Sequence, residues 1–241
     1  MKSKLSERLK KVQDTIANIC AGCGRAVGDV KLVVVTKSAE LNQIQDIISL
    51  GISDLGENRV QRLKKVSAHI EEFVNSNSEN SKRPKKINWH MIGHLQRNKV
   101  RQVLPIASLI HSLDTLRLAE ELNSAAEKLR LQPKILLQVN TSEEPQKYGV
   151  PVGAATHLAE QIETMPNIRL IGLMTMAPLT RNKDLIQACF SRAQELFLEL
   201  RGEKIVSSKF TELSMGMSSD YEIAIEHGAT ILRIGSAIFA G

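Results

Sequence analysis

Apolar residues recur along this chain in two alternating rhythms. Short aliphatic, often β-branched runs give way to longer stretches whose apolar residues fall three and four apart. The first rhythm is that of strands buried on both faces, the second that of amphipathic helices. An opening helix is predicted over residues 5–19. Strands are predicted over 31–36, 51–55, 87–92, 108–113, 134–139, 169–174, 210–214 and 230–234. Between them helices are predicted over 41–50, 59–73, 96–104, 116–129, 154–164, 184–200 and 219–226. Such alternation with short connections implies parallel pairing through right-handed crossovers. Eight strands within about 210 residues suggest one (β/α)8 TIM barrel with an extra N-terminal helix, residues 1–241 forming a single domain. A doubly wound open sheet is the alternative, because periodicity does not reveal closure. The first strand is not followed by a G-x-G-x-x-G loop, which weakens the dinucleotide-binding version of that alternative.

Composition narrows the class. The 241 residues include one Trp, two Tyr and five Phe, so the core must be aliphatic. No run approaches the roughly 18 to 20 apolar residues of a membrane span. Residues 1–8 are charged and lack an apolar signal core, so a cytoplasmic protein is expected. Cys20, Cys23 and Cys189 fit a reducing compartment better than a disulfide framework. Cys20-Ala-Gly-Cys23 has C-x-x-C spacing but no second pair, and it does not open a helix after a strand, so no metal is assigned there. The net charge of +6 comes from residues spread along the chain, except in Lys82-Arg83-Pro84-Lys85-Lys86. That cluster follows a polar stretch from Asn75 to Ser81 and reads as a solvated loop. No aromatic residues interleave with it, so nucleic acid is not expected as a partner.

Polar residues and glycines gather at the carboxyl ends of the predicted strands, the rim that carries active sites in barrels. The first strand, Leu32-Val33-Val34-Val35-Thr36, ends in Lys37. A lysine amine beside apolar walls is expected to be partly desolvated, which favours the neutral, nucleophilic form that attacks aldehydes. The plainer alternative is a surface lysine. The second strand leads to Glu57 and Asn58, the third to His90 and His94, the fourth to Asp114, and the sixth to Met174. Asn58 and Asp114 also suit helix caps. His90 and His94 do not share a face as metal ligands do. The last two strands end in Ser214-Met215-Gly216-Met217-Ser218 and Arg233-Ile234-Gly235-Ser236. Glycine- and serine-rich loops let backbone N–H groups approach an anion, so Ser214, Gly235 and Ser236 are phosphate candidates, with amides of Met217 and Ser218. Asp220 and Glu222 are expected to point away from that anion. Arg233, two residues before Gly235, faces the same side of its strand; an ion pair with Glu57 is the alternative.

A lysine for an aldehyde, a cradle for phosphate and an arginine between them describe a pocket for pyridoxal 5′-phosphate (PLP). An arginine does not readily give up its proton, so it leaves the pyridine nitrogen unprotonated and the ring a poor electron sink. At this point the chain resembles the pyridoxal-phosphate homeostasis protein family, single-domain relatives of the alanine racemase barrel. The resemblance rests on Val34-Val35-Thr36-Lys37, Gly56-Glu57-Asn58-Arg59-Val60-Gln61, residues 89–99, Gly172-Leu173-Met174, residues 213–218 and residues 233–239. It implies a Schiff base on Lys37, phosphate held by Ser214, Gly235 and Ser236, ring contact from Arg233, and a pocket lined by Asn58, His90 and Met174. The family usually has an aromatic residue where Arg59 stands and often a proline soon after the lysine. Residues 75–86 look like an insertion.

Two functions fit. One is a protein that buffers or delivers PLP without turnover, with PLP-dependent client enzymes as recipients. The other is a PLP-dependent amino-acid racemase or decarboxylase. Racemisation needs acid–base groups on both faces of the substrate. Related racemases take one from a β-rich second domain, which this chain is expected to lack, and its only tyrosines are Tyr148 and Tyr221. The binder is therefore favoured, as a monomer. A Schiff-base aldolase is a third reading, distinguished by the absence of a coloured cofactor.

Overall fold

A computed structural model describes residues 2–76 and 83–240. Part of the 75–86 stretch, residues 77–82, lies outside the described residues. In chain order, helix α1 (Lys2–Gly22) precedes β1 (Lys31–Val35), α2 (Leu41–Ser49), β2 (Asp54–Glu57), α3 (Val60–Asn75) and β3 (Asn88–Met91). Next come α4 (Val100–Val103), β4 (Ala107–Leu113), α5 (Leu116–Leu129), β5 (Lys134–Asn140), the short β6 (Val150–Pro151) and α6 (Val152–Glu163). The chain continues through β7 (Arg169–Met174), α7 (Lys183–Gly202), β8 (Glu212–Ser214), α8 (Tyr221–Glu226), β9 (Ile231–Ile234) and α9 (Ser236–Phe239). All strand pairs are parallel, and β1 pairs with both β2 and β9. Pairing of β4 with β5 closes the ring, with β6 an appendage on β5. The eight-stranded barrel expected from the alternation is the observed fold, and the open-sheet alternative is excluded.

Residue parity divides the core. Val33, Leu109, Leu136, Ile171, Met174 and Ile231 fill the lumen. Their outward neighbours, such as Val34, Leu55, Leu137 and Leu232, pack beneath the helices in a larger aliphatic layer. Helix α1 adds Leu5, Leu9, Val12 and Ile16 to that layer and lies against α2, α8 and α9. The Arg25 guanidinium ties the following turn to the carbonyls of Ile225 and Ala229, both at 2.8 Å. Among the described residues, no helix is long and apolar enough to cross a membrane.

The second strand departs from expectation. It covers Asp54–Glu57 rather than 51–55. Gly51, at φ +99°, closes α2 in a conformation that favours glycine, and Ile52 N–H returns to the Ile47 carbonyl. The apolar Ile52 thus belongs to a helix-closing turn rather than a strand. The helix expected at 96–104 is split into a 3-10 turn, Arg97–Lys99, and a single α-turn.

Candidate functional site

The carboxyl ends of the strands open into a cavity of about 810 Å3. Lys37, Asn58, Met217, Ser218, Arg233, Gly235 and Ser236 all line it, so seven of the ten predicted site residues converge. The β1 parity that places Val33 in the lumen brings Val35 and Lys37 to the cavity wall. Lys37 is exposed, not partly buried. The expected desolvation is not observed, because β1 ends at Val35 and the lysine stands beyond the apolar wall. Thr36 turns outward and donates to Glu57 Oε1 at 2.6 Å. Arg62 donates to that oxygen at 3.1 Å and to the Thr36 carbonyl at 2.9 Å. The segment carrying Lys37 is therefore pinned from the helix side. Burial pushes the Glu57 carboxyl up, against the opposing influence of Thr36 and Arg62.

Arg233 is buried at the cavity floor. Its Nη1 donates to Ser214 Oγ at 2.7 Å and its Nη2 to the Thr175 carbonyl at 2.8 Å. It makes no ion pair with Glu57, whose partner is Arg62. Burial lowers the Arg233 pKa to about 10, partly countered by Asp220, so the group stays cationic at neutral pH.

The loops expected to hold phosphate converge on one oxygen. Gly235 N–H and Ala237 N–H both donate to Ser218 Oγ, at 3.3 and 3.1 Å. Two backbone donors sharing a single hydroxyl form a donor set suited to a phosphate oxygen. A Cβ on Gly235 would approach the Val35 carbonyl oxygen to 2.9 Å, so glycine here lets β9 close against the end of β1. Asp220 does not point outward. It is buried, and its Oδ1 accepts the Met217 N–H at 2.6 Å. That amide, expected to hold phosphate, is already engaged. Burial raises the Asp220 carboxyl, opposed by the Met217 N–H and the Arg233 charge.

Ser214, His90 and Met174 do not line the cavity. Ser214 and His90 form part of a buried polar chain below it, and Met174 belongs to the lumen cluster. One side-chain layer below the rim suffices to take a side chain out of the cavity.

A profile of the family described as "Alanine racemase, N-terminal domain" matches residues 12–241. A protein of Aquifex aeolicus named pyridoxal phosphate homeostasis protein is 36% identical over 233 residues, 97% of this chain and 96% of its own. This chain belongs to the pyridoxal phosphate homeostasis protein family. PipY of Synechococcus elongatus, solved with PLP bound, superposes with a TM-score of 0.82 at 30% identity, over 98% of this chain and 100% of PipY. An alanine racemase of Clostridium difficile shares the fold alone, with a TM-score of 0.75 at 12% identity over 99% of this chain and 57% of the racemase.

In this homeostasis-family chain His94 and Asp114 lie at the rim where the strand ends placed them, but their contacts, and the part played by Gln138, were not legible in the sequence. His94 and Tyr148 stack at the mouth, with centroids 4.2 Å apart and planes 16° from parallel. Gln138 donates to the Tyr148 carbonyl at 3.0 Å and also lines the cavity. Asp114 is not a helix cap. It faces His94 Nδ1 at 3.5 Å, while Thr115 caps α5 by accepting from Leu118 N–H. Nothing in strand periodicity announces a stack between two loops. A second concavity, about 1280 Å3, adjoins the first at Lys37, Ser38 and Asn58.

Proposed function

We propose that this protein binds PLP at the barrel mouth and serves vitamin B6 homeostasis by holding and releasing it. The carrying observation is one cavity that joins a lysine amine, a buried arginine and a converging pair of backbone donors. When bound, PLP supplies an aldehyde that condenses reversibly with a primary amine, releasing water. Among the described residues Lys37 is the only lysine lining the cavity, so it would provide that amine. Arg233 would hold the ring nitrogen through an N–H not committed to Ser214 or the Thr175 carbonyl, and has no acceptor to offer it. Ser218, Gly235 and Ser236 would hold the phosphate, Ser218 through its own O–H. Asn58, which lines the cavity, would contact the cofactor. Ser214 supports Arg233 from below.

The role proposed is buffering and delivery without turnover, in the cytoplasm and as a monomer, with PLP-dependent enzymes as recipients. Support comes from Arg233, which keeps the ring a poor electron sink, and from an open mouth that lets PLP exchange. A racemase reading is favoured by Tyr148 alone, which lines the same cavity as Lys37; Tyr221 is buried and does not line it. Equilibrium dialysis of the PLP-loaded protein, together with racemisation and decarboxylation assays on an amino-acid panel, tests the reading. Stoichiometric reversible binding without turnover is expected. Turnover abolished by Tyr148→Phe would establish an enzyme instead.

A further inference from the structure

Below the cavity, four hydrogen bonds run in series through the barrel lumen. Arg233 Nη1 donates to Ser214 Oγ at 2.7 Å. Ser214 Oγ lies 3.0 Å from His111 Nδ1, and His111 Nε2 lies 2.9 Å from His90 Nδ1. His90 Nε2 lies 3.1 Å from Asp54 Oδ1, at the amino end of β2. Ser214 and His111 are fully buried and His90 is 2% exposed.

With one proton on each histidine ring, a single arrangement satisfies every atom of the chain. Burial, reinforced by the nearby charge of Arg233, holds His111 well below the ordinary imidazole range, so it is neutral with one N–H. Burial works to raise the Asp54 carboxyl, but hydrogen bonds from His90 and Ser53 outweigh it, and the group stays ionised. An ionised carboxylate requires His90 to present Nε2–H, and with that ring carrying a single proton its Nδ1 is left as an acceptor. His111 then donates from Nε2, accepts at Nδ1 from the Ser214 hydroxyl, and leaves a Ser214 lone pair for Arg233. Each donor points from the arginine toward the aspartate. Reversing the chain would turn a nitrogen lone pair against the carboxylate and leave the Ser214 proton without its His111 acceptor. Hydrogen bonds aligned this way polarise one another.

We propose that Asp54, His90, His111 and Ser214 form a positioning relay that fixes the direction of the Arg233 fork, and so sets how the ring nitrogen of bound PLP is held. This rests on the ring contact proposed above. None of the four lines the cavity, so their influence must pass through Arg233. They are positioning residues, not catalytic ones.

The test compares full-length parent, His111→Leu, Asp54→Asn, Arg233→Ala and the His111→Leu/Arg233→Ala double variant, each titrated with PLP. The readouts are the dissociation constant and the visible band of the bound cofactor. His111→Leu is expected to weaken binding roughly five- to ten-fold, the range implied by stranding a buried polar group. Its band should move in the same direction as that of Arg233→Ala. In the Arg233→Ala background it should add nothing. Asp54→Asn, at the partly solvated end, should give a smaller displacement of the same sign. Parental band and affinity in His111→Leu and Asp54→Asn, with Arg233→Ala altered, would overturn the relay and leave the ring contact standing. An undiminished His111→Leu effect in the double variant would also overturn it. If Arg233→Ala itself matches the parent, the ring contact fails and the relay with it. Should His111→Leu not fold, Asp54→Asn decides by the same criteria.

Discussion

Lys37 and Ser214 were both drawn from the ends of strands, yet they fare differently. Lys37, Arg233 and Gly235 were readable because two-residue parity fixes which way a strand residue faces. Ser214, His90 and Met174 share the correct parity but sit one layer deeper, and depth in a barrel depends on stagger, which a single strand does not encode. Asp220 shows a second limit. Its charge suggested avoidance of an anion, but the need to satisfy the Met217 N–H in a buried turn prevails. Gly235 carries a sharp prediction at this level. In Gly235→Ala the new methyl meets the Val35 carbonyl oxygen and Val35 Cβ, at 2.9 and 3.2 Å. Such overpacking costs about 1–3 kcal/mol. Urea unfolding should show that loss, and PLP titration should show weakened affinity, since β1 moves at the base of Lys37. Unchanged stability would mean that the β1–β9 junction is softer than its geometry implies.

Secondary-structure elements were recovered where periodicity ran long. Helix α5 matches its expected bounds, Leu116–Leu129. The short pieces were missed. β6 has two residues and α9 four, too few for a periodic signal. The displacement of β2 came from reading Gly51 and Ile52 as strand when they close a helix. Coupling between elements was also hidden. Arg62 on α3 reaches Glu57 on β2 and the carbonyls of Thr36 and Ala39 beyond β1. Glu57 is fully buried, and its Oε2 has no hydrogen-bond partner among the described residues. Arg62→Ala therefore strands a buried carboxylate and should cost about 2–3 kcal/mol, moderated by the partial exposure of Arg62. Adding Glu57→Gln to Arg62→Ala should recover part of that loss in thermal unfolding. No recovery would show that the clamp acts through the backbone carbonyls instead. The clamp also frames the Lys37 segment, so Arg62→Ala should slow condensation with PLP.

For the molecule as a whole, closure was the step sequence could not supply. Alternation allowed a ring or an open sheet, and only the β4–β5 pairing decides between them. Closure buries His111 at the centre of the lumen, and this has a consequence for global stability. The folded pKa of His111 lies well below its ordinary value of 6.5. Below pH 6.5 the unfolded chain binds a proton that the folded chain refuses, so this contribution to stability is present above 6.5 and is lost as pH falls toward the folded value. The unfolding free energy from urea titrations should fall between pH 6.5 and 5, with a slope approaching about 1.4 kcal/mol per pH unit from this group alone. His111→Asn should flatten that part of the profile. An identical slope in variant and parent would place the titration elsewhere. Light scattering of the 26.7 kDa chain should return one copy per particle; a dimer mass would oppose the proposed monomer.

The most direct test lies at the amine of Lys37. The protein is saturated with PLP, reduced with borohydride, digested, and its peptides mapped by mass spectrometry. The phosphopyridoxyl group should appear on Lys37 and on no other lysine, and Lys37→Ala should take up none while remaining folded. A label on a different lysine, or none at all, contradicts the proposed binding mode.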